Sequence, residues 1–318
     1  MGQKMATPPF IRGAKSMREI VIIGIGQVGS ALAAQLLATH QVDRLTLLDE
    51  DDERVVGLQN DLQAGWPAAE IKTQDWSSLH TADVIVTAFG NRQQLQENRF
   101  GELTVNAKAV HQMAKQVREA DPQGIVLNLA NPNEALTALI QQEWLLPPKQ
   151  VIGLGTVVDT ARLRLVIQNA SQQNVHSIEG YVYGQHDGNL VTAWSTVRVN
   201  GQTIDQPIYG KKLDDHELTV QAKLNGFYAL RGLGSDWNGM IAWTLRVLQA
   251  IFTNSNATFS LAVNQPQFGG YVSYPVQLNR QGVGNYVLLP LYPLETEQIK
   301  VAANAIQQQL AAMQDILN

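Results

Sequence analysis

Gly24, Gly26 and Gly29 stand in the run Gly24-Ile25-Gly26-Gln27-Val28-Gly29, a G-x-G-x-x-G pattern entered by a β-branched stretch and left by an Ala- and Leu-rich one. The first glycine permits a tight turn and the second lets backbone approach a pyrophosphate. The third lets the following helix pack close to the strand, with its N-terminus facing the phosphates. Asp49 stands twenty residues past Gly29, at the end of the next apolar run, where a carboxylate can take both hydroxyls of a ribose. An ordinary strand–turn–helix junction with an acidic loop is the plain alternative. The combination points to a nicotinamide dinucleotide, and Asp49, backed by Asp51 and Asp52, repels a 2′-phosphate and so favours NAD over NADP.

A hydride acceptor such as a 2-oxo acid makes three demands. A proton donor must stand at the carbonyl oxygen, a cation must polarise that carbonyl, and a second cation must hold the carboxylate. The donor must exchange its proton near neutral pH, which selects histidine. Of six histidines, His186 alone lies in a small-residue loop, Tyr183-Gly184-Gln185-His186-Asp187-Gly188-Asn189, between two strand patterns. By residue type alone a turn histidine is the weightier reading of it. Asp159 and Arg162, three apart on a helical pattern, share one face; such a pair is ordinarily a surface salt bridge worth about 0–1 kcal/mol. Facing His186, the same pair would divide the work: Asp159 fixing the imidazole tautomer, Arg162 forking a carboxylate. Arg99 begins a helical pattern after the polar stretch 90–98, a loop long enough to act as a lid. Asn131 ends an apolar run before Pro132. Plain alternatives are a solvated helix-start arginine and ordinary turn chemistry.

These residues need a scaffold. From Arg18 onward, short apolar runs at 19–23, 44–48, 83–87, 125–129 and 151–153 alternate with helical stretches, among them 99–119. That order implies right-handed crossovers and a parallel sheet. Beyond about residue 155 the pattern is mixed. Helices are expected over 156–169, 214–229, 237–252 and 296–317, and strands over 181–183, 190–199, 259–263, 271–274 and 286–289, with Asn200-Gly201 as a hairpin turn. The expected fold is α/β: a Rossmann dinucleotide domain over 17–155 and a mixed α+β substrate domain over 156–318. Residues 1–16 read as a disordered leader or a cloning remnant.

Composition narrows the classes further. The chain has 318 residues and a net charge of -5, with no block of lysine or arginine, which disfavours a nucleic-acid or anionic-membrane surface. Zero cysteine removes disulfides, thiolate metal sites and cysteine nucleophiles, and fits a reducing cytoplasm. No metal is called for.

Over nearly the whole chain from Arg18, the sequence resembles the L-lactate and malate dehydrogenase superfamily, and within it the L-2-hydroxyisocaproate dehydrogenase branch. The stretches carrying the likeness are 151–156 with Asp159-Thr160-Ala161-Arg162, then 193–199 and 271–275. The resemblance implies His186 as acid/base, Asp159 as its partner, Arg162 on the substrate carboxylate and Arg99 polarising the carbonyl. Asn131 would contact substrate and nicotinamide. The implied reaction is NADH-dependent reduction of a 2-oxo acid to an L-2-hydroxy acid and its reverse, in a homodimer or homotetramer.

Three departures from the family pattern stand out, and Gln93 adds a clue to the substrate. Gln185 and Asp187 flank the histidine where Glu and Gly are usual, and Asn133-Glu134 replaces Val-Asp. Asp236 falls where a pocket threonine is common. Gln93 aligns with the arginine of malate enzymes, and its neutrality disfavours a second substrate carboxylate. The expectation is a monocarboxylic 2-oxo acid with a medium or bulky side chain. The alternatives are L-lactate or malate dehydrogenase and, from another class, a non-catalytic dinucleotide-binding protein on the same fold.

Overall fold

The computed structural model describes residues 17–90, 99–186, 188–208, 210–234 and 237–317, with only the backbone of 99–101. β1 (Glu19–Ile23) is buried along its whole length, as a strand covered by helices on both faces must be. Each of its isoleucines contributes roughly 1.5–3 kcal/mol by leaving water. It pairs in parallel with β2 (Arg44–Leu48) on one side and β4 (Val84–Thr87) on the other. With β3 (Glu70–Thr73), β5 (Ile125–Asn128) and β6 (Val151–Gly153) the order is β3-β2-β1-β4-β5-β6. Chain order reverses between β1 and β4, which makes the carboxyl ends of those strands the crevice where ligands bind in such sheets.

Helices fill the crossovers: α1 (Gln27–Ala38), α2 (Asp52–Gly65), α3 (Ser78–Thr81), α4 (Arg99–Ala120) and α5 (Asn133–Trp144). The periodicity reading leaves α2 and α5 unassigned. α2 is polar on most of its surface and buries only Val55 and Leu62. α5 is the opposite case, buried over residues 133–140, so it carries no amphipathic stripe to read.

The sheet continues past β6 into the second half. Gly153 meets Ala262 of β12 (Ala257–Gln265), which pairs along its length with β13 (Gly270–Asn279). β13 then carries β8 (Val182–Gly184), with β9 (Leu190–Thr192) beyond it, and also β14 (Gly282–Tyr286). A smaller sheet joins β7 (Ile178–Glu179), β10 (Arg198–Val199) and β11 (Gln202–Thr203). Among the described residues four helices pack on this half: α6 (Val157–Ser171), α7 (Asp215–Leu233), α8 (Trp237–Thr253) and α9 (Pro293–Leu317). The hairpin at Asn200-Gly201 forms as expected, with both residues at positive φ, 50° and 76°.

Two strand expectations fail. Residues 190–199 do not make a single strand: β9 and β10 belong to different sheets, separated by a 3-10 turn at Trp194–Thr196. The backbone N–H of Ser195 donates to the buried Glu295 carboxylate at 3.0 Å, and its hydroxyl binds the same group. A side-chain acceptor thus takes the place of a ladder partner and turns the chain. The last strand also comes earlier than expected, at 282–286 rather than 286–289, because it forms a hairpin with β13.

Candidate active site

The glycine run lies at the carboxyl end of β1, and each glycine has its own cause. Gly24 has φ +90°, and a Cβ there would sit 2.5 Å from the Phe89 nitrogen; a Cβ on Gly29 would sit 2.0 Å from the Gly24 carbonyl oxygen. A side chain at Gly24 would collide with the backbone that follows β4, and one at Gly29 would push α1 off the glycine turn. At Gly26 a Cβ would meet nothing within 4 Å, so the glycine leaves open space of the kind a diphosphate needs. Gly26 is also the N-cap of α1 and supplies no side-chain cap, and the first turn holds no acidic residue. The helix start at Gln27-Val28 therefore offers backbone N–H groups and positive potential to an anion.

Asp49 closes this end. Its Oδ2 accepts the Ile25 N–H at 2.8 Å and its Oδ1 the Asp51 N–H at 3.1 Å, tying the second strand to the glycine turn. Sequence spacing missed Arg54, which reaches back from α2 to Asp49 Oδ1 at 3.3 Å and to Asp51 Oδ2 at 3.2 Å. Asp51 is spent as the N-cap of α2. The acidic cluster is thus partly neutralised. A cradle with room at Gly26 and a carboxylate fixed beside it fits a dinucleotide.

At the other end, His186 follows β8 and Asp159 lies in the first turn of α6. Their side chains meet, Nδ1 to Oδ2, at 2.6 Å. Arg162 Nη1 donates to Asp159 Oδ1 at 3.0 Å, so one carboxylate serves both the imidazole and the guanidinium. Burial pushes the Asp159 carboxyl up, but the charges of His186 and Arg162 and their hydrogen bonds hold it below its ordinary value. Side-chain exposures of 10% for Asp159, 14% for Arg162 and 23% for His186 rule out the solvated surface pair. An Asp that accepts at Nδ1 fixes the tautomer and leaves Nε2 as the proton-exchanging position.

The histidine loop is tightly held. Gly184 has φ +94°. Gln185, 4% exposed, donates from Nε2 to Gln309 Oε1 at 2.8 Å and accepts Asn189 Nδ2 on Oε1 at 3.2 Å. An amide in place of the family's glutamate thus meets an amide on α9, and no charge is buried there. Asp187, Gln93 and Asp236 lie outside the described residues, as does the Arg99 side chain; the backbone of Arg99 opens α4.

Asn131 ends the loop after β5, and its carbonyl accepts Asn106 Nδ2 at 2.7 Å. Behind it is a buried network that sequence reasoning missed. Asn128 Nδ2 donates to the Ala130 and Asn133 carbonyls and to Thr137 Oγ1, and Asn133 Oδ1 accepts the Gly155 N–H at 2.8 Å. The available signal was the density of asparagine around Pro132. A Cβ on Gly226 of α7 would stand 3.1 Å from Arg162 Nη1, so α7 packs directly over the guanidinium.

Comparison with known proteins decides the family. The model of the lactate/malate dehydrogenase NAD binding domain matches residues 18–153, and that of the lactate/malate dehydrogenase alpha/beta C-terminal domain matches 156–316. The chain belongs to the lactate/malate dehydrogenase family. It is 30% identical over 306 residues to an L-lactate dehydrogenase of Gloeobacter violaceus, covering 92% of each chain. To L-lactate dehydrogenase 1 of Staphylococcus aureus it is 26% identical over 309 residues, covering 94% of this chain and 98% of the relative. The crystal structure of a lactate dehydrogenase from a Medee basin deep-sea metagenome superimposes with a TM-score of 0.86 at 26% identity, covering 94% and 99% of the two chains. This member of the family is an NAD-dependent oxidoreductase acting on the CH–OH group of a 2-hydroxy acid. The hydroxyisocaproate branch is not singled out by these relatives.

Proposed function

We infer that the enzyme interconverts L-lactate and pyruvate, the alternative of the sequence reading rather than its first choice. The observation that carries the reading is the His186–Asp159–Arg162 constellation, in which one buried carboxylate joins a ring nitrogen at 2.6 Å and a guanidinium at 3.0 Å. The names of the relatives favour lactate over a bulkier acid. NAD, held by the glycine turn and Asp49, supplies or accepts the hydride when bound.

His186 Nε2 gives a proton to the developing alkoxide, and Asp159 stabilises the imidazolium form that must precede it. Arg162 takes the substrate carboxylate in a two-point fork that a lysine cannot reproduce. Arg99 polarises the carbonyl oxygen from the start of α4, and Asn131 orders the nicotinamide end. Gln93 leaves no charge for a second carboxylate, which argues against oxaloacetate. We divide the work between residues 17–155, which hold NAD, and 156–318, which hold the substrate.

A second reading, a medium or bulky side chain as in the hydroxyisocaproate enzymes, rests on the resemblance carried by residues 151–156, 193–199 and 271–275. We also assign the protein to the cytoplasm and to a homodimer or homotetramer. The exposed apolar side chains of α7, Leu224, Phe227, Leu230 and Leu233, support self-association. Among the described residues no helix is long and apolar enough to cross a membrane.

The test is NADH oxidation with pyruvate, oxaloacetate, 2-oxoisocaproate and phenylpyruvate, run beside His186→Asn. Fastest turnover on pyruvate is expected, with a loss of about 10²–10⁴ in the variant, whose NADH affinity is unchanged. Faster turnover on the bulky acids would replace the lactate reading by the second one. An inactive wild type that still binds NADH would leave only a dinucleotide-binding protein.

A further inference from the structure

We propose that Glu134 is a positioning residue for the proton transfer, holding the loop of the acid/base histidine by the main-chain amide of His186. The role rests on the assignment of His186 made above. Glu134 is 1% exposed, in the first turn of α5. Its Oε1 accepts the His186 N–H at 3.0 Å and the Ser273 hydroxyl at 2.6 Å. The Ser273 oxygen in turn accepts the Thr156 N–H at 3.1 Å, so the serine proton is committed to Glu134. Ser273 of β13 is the register partner of Gly184, two residues before the histidine. One carboxylate thus ties together α5, β13 and the β8–β9 loop, with the start of α6 joined through Ser273.

This arrangement is costly, and the cost is informative. Burial pushes the Glu134 carboxyl above its ordinary value despite its hydrogen bonds and the nearby His186. A position that needed only packing would be served better by an apolar side chain. Here the buried acceptor meets the peptide of the one residue whose ring must be aimed. Asp159 grips the imidazole at Nδ1, which sets tautomer and ring orientation but does not by itself fix the Cα end of the lever. Glu134 holds that end. A displacement of about 1 Å in a reacting group costs on the order of 10²-fold in rate.

Glu134→Met fills the same space without an acceptor, and Glu134→Gln keeps an acceptor oxygen without the charge. In the full-length enzyme we expect Glu134→Met to lower kcat by about 10–100-fold, with KM and NADH affinity near wild type. Glu134→Gln should restore kcat to within a few-fold. Hydrogen exchange at the His186 amide should be slow in wild type and Glu134→Gln and fast in Glu134→Met. Glu134→Ala repeats the test if the methionine variant does not fold. Wild-type turnover in Glu134→Met, or Glu134→Gln as slow as Glu134→Met, overturns the role; so does fast exchange at the His186 amide of the wild type. His186→Asn separates the two assignments. If it keeps full turnover, the acid/base reading fails. If it is inactive while Glu134→Met is fully active, only the role of Glu134 fails.

Discussion

The proposed cofactor end and the proposed reacting end of this enzyme are built from different materials. The cofactor end occupies one short stretch, from the glycine turn after β1 to Asp49 and Arg54, and most of what it offers is main chain or the absence of a side chain. Gly24 and Gly29 have no room for a Cβ, and Gly26 is a bare helix start. The reacting end is built from polar side chains brought in from distant places: Asn106, Glu134, Asp159, Arg162, His186 and Ser273, on three helices, a strand and a loop. At the first, the fold and the site are the same object, so changing the site strains the fold. At the second, a side chain such as Arg162 can be changed while the fold stands.

The sharpest contrast is between Arg162→Lys and Gly29→Ala. Arg162→Lys should raise KM for the 2-oxo acid by roughly 10–100-fold, the worth of about 1.5–3 kcal/mol in a charged hydrogen bond. NADH affinity and Tm should not move; a parallel loss of NADH binding would break the comparison. Gly29→Ala should do the reverse. Forcing a Cβ to 2.0 Å from the Gly24 oxygen costs roughly 1–3 kcal/mol in overpacking, read as a lower Tm together with weaker NADH binding. A lower Tm with unchanged NADH affinity would show that the turn and the fold are separable after all.

The smallest expected effect concerns pH. The folded-state pKa of Glu134 is raised by burial, so the folded protein binds that proton more tightly than the unfolded chain does. Its contribution to stability is present in acid, below the ordinary glutamate value, and is lost as pH rises through the folded-state value. Glu134→Gln should therefore melt slightly higher than wild type at neutral pH. The gain should vanish as pH falls toward the ordinary glutamate range. A gain that grows in acid would mean that hydrogen bonds dominate over desolvation at this group.

How much of this was legible differs between the two ends for the same reason. The glycine run, the strand before it and Asp49 are close in sequence, and their geometry follows from local backbone rules; they read off directly. Asp159 and Arg162 share a helix face by spacing alone. That they face His186, 27 residues away, is decided where β8 returns beside α6. The buried polar network of Asn128, Asn133, Glu134 and Ser273 left little trace, since polar residues around a proline read as a loop. The strand expected over 190–199 failed because Glu295, a hundred residues on, takes the Ser195 amide.

By itself, then, the sequence determined the alternation of strand and helix, the dinucleotide turn and the preference for NAD, all set by contacts within a few tens of residues. Only the tertiary structure decided which carboxylate binds the imidazole, which one holds its backbone, and what neutralises the acidic cluster behind Asp49. Those choices depend on which charges are taken out of water together, and burial is a property of the packed chain rather than of any segment of it.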